Sequence, residues 1–203
     1  GFLVRDLWAT VYHKGIDVGG GSVGGKLERL GFSVGVLLET RIDDPERTEE
    51  NMTALRNYIE DNALYYSFGA SSNLTAWGLV GFQPDIQCRF YEQNGQSTQD
   101  AEFWMSMFDI ARRSTIVAEQ GTNISWYGFW ATGRTPTNNW LEVDPAFMGP
   151  LDVYGKTLQQ DHQQMPLDFT AQQVRLFDEV SLTTGKAAPG SNEANALDRN
   201  PRT

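Results

Sequence analysis

Residues 97–132 read STQDAEFWMSMFDIARRSTIVAEQGTNISWYGFWAT, and the fold turns on whether the first part of this stretch is a helix. Ser97 followed by Asp100 resembles a capping box, in which a short polar side chain and an acid three residues on satisfy the first free N–H groups of a helix. Phe103, Met107 and Ile110 make one row at helical spacing, and Trp104, Phe108 and Ala111 make the next,. This predicts a helix to about Val117 with a wide buried face. Gly121 closes it. Asn123–Thr132, NISWYGFWAT, is a strand by its aromatics,. Strict alternation places Trp126 and Trp130 on one face and Tyr127 and Phe129 on the other, so both faces need cover.

Working outward, Gly31–Thr40 alternates Phe32, Val34, Val36 and Leu38 with smaller residues and reads as a strand,. Asp44 before Pro45 is a helix-start signal, and Met52, Leu55, Ile59 and Ala63 form an apolar stripe ending near Asn62,. Residues 64–68, 75–82 and 86–90 are strand-like,. The order from Gly31 to Thr132 is β-α-β-β-α-β. That is the ferredoxin-like α+β pattern, an antiparallel sheet with two helices on one face. No internal repeat is read.

The flanks are less regular. Residues 2–13 fit a helix or a strand. Gly15–Gly25 carries six glycines in eleven residues and reads as a flexible loop,. Residues 133–169 form a long polar loop with Pro136, Pro145, Pro150 and Pro166,. Thr170 with Gln173, and Phe169 with Val174, resemble a capping box and staple opening a helix over 170–181,. Residues 182–203 are an extended tail. Its end, GKAAPGSNEANALDRNPRT from Gly185, has Leu197 as its one large apolar side chain and cannot bury enough surface to offset the entropy of ordering,. Order there has to come from a neighbouring molecule. The organisation is thus an N-terminal segment (1–30), a core (31–132), a loop, a helix and an arm.

Composition limits the partners. Sixteen basic against twenty-six acidic residues give a net charge of −10, which disfavours a nucleic-acid backbone or an anionic membrane surface. A single cysteine, Cys88, permits no internal disulfide and reads as a small buried hydrophobe,. No stretch approaches the ~20 apolar residues of a membrane helix.

Two glycine patterns invite catalytic readings. Gly20-x4-Gly25-Lys26 imitates a P-loop, but Leu27 stands where a Mg²⁺-binding hydroxyl belongs,. Gly20-Gly21-Ser22-Val23-Gly24 matches a nucleophile elbow, with Asp152 and His162 in the order of a triad,. Neither has the expected strand–turn–helix setting. His13 and His162 have no metal-ligand spacing,. The sequons at Asn51, Asn73 and Asn123 read as chance. No catalytic residue, cofactor or metal is assigned.

The sequence expectation is a non-enzymatic structural subunit of an oligomeric assembly, packing against its own copies or neighbouring subunits through terminal arms. A virion part such as a bacteriophage tail or neck component is the compositional analogue. Trp126, Trp130, Trp140, Phe147 and Leu197 are its interface candidates,. The alternative is a carbohydrate-binding or carbohydrate-active protein using Trp126, Trp130 and Trp140 as stacking platforms.

Overall fold

The computed structural model describes residues 1–33, 45, 47–133, 139–159, 170 and 172–177. Strand is the dominant structure of the described residues, and the strands form two sheets in which every pairing between named strands is parallel. Parallel neighbours need a long crossover. Here each crossover from one sheet runs through the other.

β1 (Leu3–Ala9) passes through β2 (Lys14–Val18) and β3 (Ser22–Val23), then returns as β4 (Lys26–Ser33) beside β1. After α1 (Glu49–Asn62), β5 (Leu64–Phe68) lies beside β2, β6 (Ser71–Ser72) beside β3, and β7 (Thr75–Phe82) beside β4. β8 (Ile86–Phe90) pairs with β5. β9 (Gln99–Trp104) and β10 (Met107–Asp109) then cover the two halves of β7. β11 (Ser114–Ala118), β12 (Thr122–Gly133), β13 (Asn139–Val143), β14 (Leu151–Gln159) and β15 (Val174–Phe177) continue the winding. The chain is a parallel β-helix, each coil stacking on the last at the strand spacing of about 4.8 Å.

The ferredoxin-like α+β expectation is therefore overturned: the sheets are parallel, and α1 is the single helix among the described residues. The helix expected over 97–117 is three strands, β9, β10 and β11. The reason is a column of left-handed residues. Asp6, Arg29, Gly78, Met105 and Gly128 all have φ between 52° and 66° and stand in register at the same corner of successive coils. A left-handed residue turns the chain and resets the in–out alternation. Inward residues therefore fall at spacings of three and then two: Leu27, Leu30, Phe32; Phe103, Ser106, Phe108; Trp126, Phe129, Ala131. A spacing of three inside an aromatic-rich run imitates a helix. The same reset at Gly128 corrects the expected faces of β12: Trp126 and Phe129 point in, while Tyr127 and Trp130 are half-exposed.

A second left-handed column is Gly24, Asn73, Asp100 and Asn123, with Asn123 Nδ2 donating to Asp100 Oδ1. Asn and Asp tolerate this conformation better than most side chains. The two columns expose a repeat that the linear reading missed. Asn73-Leu-Thr-Ala-Trp-Gly78 and Asn123-Ile-Ser-Trp-Tyr-Gly128 are the same corner two coils apart. Their sequons are corner asparagines, each followed by an inward residue and an outward hydroxyl.

Coil length is nearly constant. Leu3 opposes Lys26 and Leu151 opposes Val174, 23 residues on in each case, while Thr75 opposes Glu102 after 27. Lys26 opposes Thr75 only after 49 residues, because α1 is inserted there. Its first turn is capped by Thr48, whose hydroxyl accepts from the Asn51 N–H, with Glu49 and Glu50 at the positive end of the dipole,. The expected Asp44 cap lies outside the described residues. The expected end near Asn62 holds, and Leu55, Ile59 and Ala63 pack on the core. An ion pair from Arg112 to Asp61 ties α1 to a later coil.

Other flanking expectations change too. Gly15–Gly25 is not simply a loop, since it contains β3 and most of β2. Residues 133–159 contain β13 and β14. Gln173 Oε1 does accept from the Thr170 N–H, but one turn follows and the chain enters β15 rather than a helix. Residues 178–203, including the tail, lie outside the described residues.

The interior is filled by ladders of like side chains. Trp126 is fully buried, stacked on Phe103 with centroids 4.3 Å apart and met edge-on by Phe108, Phe90 and Phe129. Phe68 stacks on Phe90. Cys88 lies between Tyr66 and Ile116 in register, and burial pushes its thiol pKa well up, so it stays protonated,. On the outer face of the second sheet, Asp17 accepts from Lys14, Ser67 and Tyr91. Burial raises its pKa, but these three donors outweigh it and hold the carboxyl below its ordinary value.

Gly128→Val forces a β-branched residue into a left-handed corner and is expected to cost about 1–2 kcal/mol, whereas Gly128→Asn keeps most of the stability; denaturant midpoints check both. Trp126→Ala is expected to cost about 3–5 kcal/mol in the same measurement. Because the pKa of Asp17 is lowered on folding, its contribution is present above the ordinary Asp range and lost as pH falls through the lowered value,. Thermal melts of wild type and Asp17→Asn should therefore differ most near neutrality and converge in acid.

Candidate functional site: two outward columns at the left-handed corner

The corner column of Asp6, Arg29, Gly78, Met105 and Gly128 divides the long strands of the larger sheet in two. The outward position just before it is occupied in successive coils by Arg5, Glu28, Trp77, Trp104, Tyr127, Tyr154 and Phe177. Parallel register puts identical strand positions one above another, so the rings must meet. Trp77 stacks on Trp104, Trp104 on Tyr127, Tyr127 on Tyr154 and Tyr154 on Phe177, with centroids 6.0, 4.2, 4.9 and 4.3 Å apart and planes within 24° of parallel. The rings between Trp77 and Phe177 have both faces covered by neighbours and turn their edges outward. Trp77 is 50% exposed and stacks on one side alone among the described residues.

The first outward position after the corner is Trp8, Gly31, Val80, Met107 and Trp130, and Lys156 of β14 follows Trp130 in register. Trp8 lies across Gly31, where a Cβ would fall 1.7 Å from the indole, so only glycine fits beneath it. Trp8 is 54% exposed and Met107 36%, and Val80 and Trp130 are half-buried. Met105, on the corner itself, is 60% exposed and its sulfur sits over Gly128. Glycine at two ridge positions, 78 and 128, leaves a low corner between the two columns.

Charge is confined to the ends and the flank. Asp6 and Arg29 form a bidentate pair across the corner at 2.6 and 2.8 Å, and the Arg29 hydrogen bond lowers the Asp6 carboxyl. At the other end Arg175 grips Asp152 through two nitrogens and stands over the Phe177 ring. Burial, then the charge of Asp152, raises the pKa of the Tyr154 phenol. The flanking column is Lys26, Thr75, Glu102, Ser125 and Asp152.

The structure separates most of the residues that the sequence nominated. Trp126 and Phe147 are buried in the core and present no surface on the single chain. Trp130 is on the outward column. Trp140 is in β13, on the other sheet, and nothing of its side chain is described; Leu197 and His162 lie outside the described residues. Ser22 is in β3, its hydroxyl donating to the Gly19 carbonyl, and Asp152 is four strand pairings away, roughly 19 Å at the usual spacing,. The two do not meet. Lys26 opens a strand instead of a P-loop helix. Among the described residues no group of three or more His, Cys, Asp or Glu side chains could hold a metal ion, and no helix is long and apolar enough to cross a membrane. The residues that the linear reading missed are Trp77, Trp104, Met105 and Met107. The signal for Trp77 was the shared Asn-apolar-hydroxyl-x-aromatic-Gly pattern at 73–78 and 123–128, which does not reach Trp104, Met105 or Met107.

No protein-family model matches the chain, and neither curated proteins nor solved structures give a match.

Arg175→Ala leaves the nearly buried Asp152 carboxylate without its partner and is expected to cost about 1–3 kcal/mol. The pair Asp152→Asn with Arg175→Leu, which removes both charges, should lose less in the same unfolding experiment.

Proposed function

We propose that this chain is a building block of an oligomeric assembly whose coils pack side by side along the column Trp8, Val80, Met107 and Trp130, with Met105 beside it. The observation that carries this reading is that column itself. Its large apolar side chains repeat along one edge of the helix with the coil period and without an intervening charge. Exposed apolar surface of this kind marks interaction sites. Trp is enriched among interface anchors, and Met adapts its shape to a partner. A second copy is the simplest occupant, since a coil lying alongside presents the same spacing of about 4.8 Å. The column itself carries no acid between Trp8 and Trp130, and Asp6, two residues before Trp8, is paired with Arg29.

Light scattering over a concentration series tests it. The wild type is expected to run as a defined oligomer, and Met107→Ser with Trp130→Ser as a monomer with unchanged circular dichroism and melting temperature. A wild type that stays monomeric across the series sinks the homotypic form of the proposal.

A further inference from the structure

We propose that Asn94 is a site of spontaneous deamidation, through attack of the Gly95 backbone nitrogen on its side chain, and that the isoaspartate so formed frees the 93–96 hairpin from the first coil. The site shares no residue with the assembly column and does not rest on that reading.

Residues 93–96 make a hairpin of the smallest kind, an isolated bridge between β8 and β9. The Gln93 N–H donates to the Gln96 carbonyl at 2.7 Å, and the Gln96 N–H donates to the Gln93 carbonyl at 3.1 Å. Asn94 and Gly95 between them have φ of 55° and 75°. Positive φ at both residues of a two-residue loop is the turn that Asn-Gly favours. Gln93 ties this tip to the first coil. Its Oε1 accepts from the Gly20 N–H at 2.6 Å, and a Cβ on Gly19 would come within 2.2 Å of it. A loop tip held by a few exposed hydrogen bonds opens at low free-energy cost.

Asn94 differs from the other asparagines whose side chains are described. It is exposed, and among the described residues neither its carboxamide nor the Gly95 N–H has a hydrogen-bond partner. A Cβ on Gly95 would meet nothing within 4 Å, so the attacking nitrogen is unshielded. Asn51, Asn57 and Asn62 lie in α1, where the N–H after Asn51 bonds to the Thr48 carbonyl and that after Asn62 to the Ile59 carbonyl. Asn73 precedes the buried Leu74. Asn123 donates through Nδ2 to Asp100, and the N–H after it bonds to the Pro150 carbonyl. The reaction needs water alone. The Gly95 nitrogen loses its proton to solvent and bonds to Asn94 Cγ, the Cγ–Nδ2 bond breaks, and Nδ2 takes a proton from solvent and leaves as ammonia. Water then adds to either carbonyl of the five-membered imide and opens it to aspartate or isoaspartate. The ring holds the Asn94 backbone outside the left-handed region, so closure proceeds from the opened tip. Isoaspartate inserts a methylene into the backbone between Gln93 and Gln96. A two-residue turn cannot keep both hairpin bonds with that insertion, and the bond from Gly20 to Gln93 is lost with them.

The test is to hold the full chain in mildly alkaline buffer at physiological temperature and map its peptides over time by mass spectrometry, with fragmentation that separates isoaspartate from aspartate. A synthetic peptide of residues 90–99 gives the rate without the fold. Asn94 is expected to convert ahead of Asn51, Asn57, Asn62, Asn73 and Asn123, more slowly than in the peptide, with isoaspartate as the main product. Gln93→Ala, which removes the tie to Gly20, should speed the conversion several-fold. Hydrogen exchange of the Gly20 amide should rise in the isoaspartate form and stay unchanged in Asn94→Asp, which carries the charge without the methylene. Melting curves confirm that both variants fold. An Asn94 still intact in the chain when the peptide is fully converted overturns the proposal. So does earlier conversion of another of these asparagines, a Gln93→Ala rate equal to wild type, or a Gly20 amide that exchanges no faster in the isoaspartate form.

Discussion

The left-handed residue at the corner of the long strand is the constraint on which the rest of this structure depends. At Asp6, Arg29, Gly78, Met105 and Gly128 the chain takes a backbone conformation that costs most side chains energy,. The turn it makes there lets two short strand segments share one sheet while facing different directions. Without it the β12 run would be a flat strand with Trp126 and Trp130 on one face. With it, Trp126 enters the core and Trp130 stays outside. The same turn recurs at the same place from β1 to β12, and in β14, which lacks it, the register shifts past Gly128.

Recurrence then decides the packing. A parallel coil sets each residue above its equivalent in the layer before, so one side-chain choice is tested repeatedly against itself. Inside, this produces the Phe103–Trp126 and Phe68–Phe90 stacks. Outside, the same rule produces the ladder from Trp77 to Phe177. The inner and outer ladders differ in what they leave available. Buried rings contribute through apolar area and through edge-to-face geometry with their neighbours. The outer rings shield one another, and the ladder ends where Glu28 stands in register with Trp77. Surface chemistry in such a fold is consequently set by where a column changes character, as it does between Glu28 and Trp77.

Much of the local structure was legible in the linear pattern. The strands at 64–68, 75–82, 86–90 and 123–132 and the helix end near Asn62 are where the apolar spacing placed them. The helix over 97–117 was not there, because Phe103, Met107 and Ile110 do not share a face: Met105 and Ile110 are themselves left-handed, and each shifts the count. The Thr170–Gln173 interaction formed as a local motif, yet the coil drew the following residues into β15. A capping interaction contributes on the order of 1 kcal/mol, which a registered strand pairing with β14 offsets.

The sequence by itself determined the strands at 64–68, 75–82, 86–90 and 123–132, the end of one amphipathic helix near Asn62, and the strong acidic excess of the chain. These follow from side-chain chemistry over a few neighbouring residues. Only the tertiary structure decided that the strands are parallel, that Trp126 is core while Trp77 and Met107 are surface, and that Ser22 and Asp152 are far apart. Those outcomes depend on pairings 23 to 49 residues distant and on backbone handedness at single corners. A non-glycine side chain does not announce that handedness in a linear pattern, and one such residue inverts the facing of everything after it.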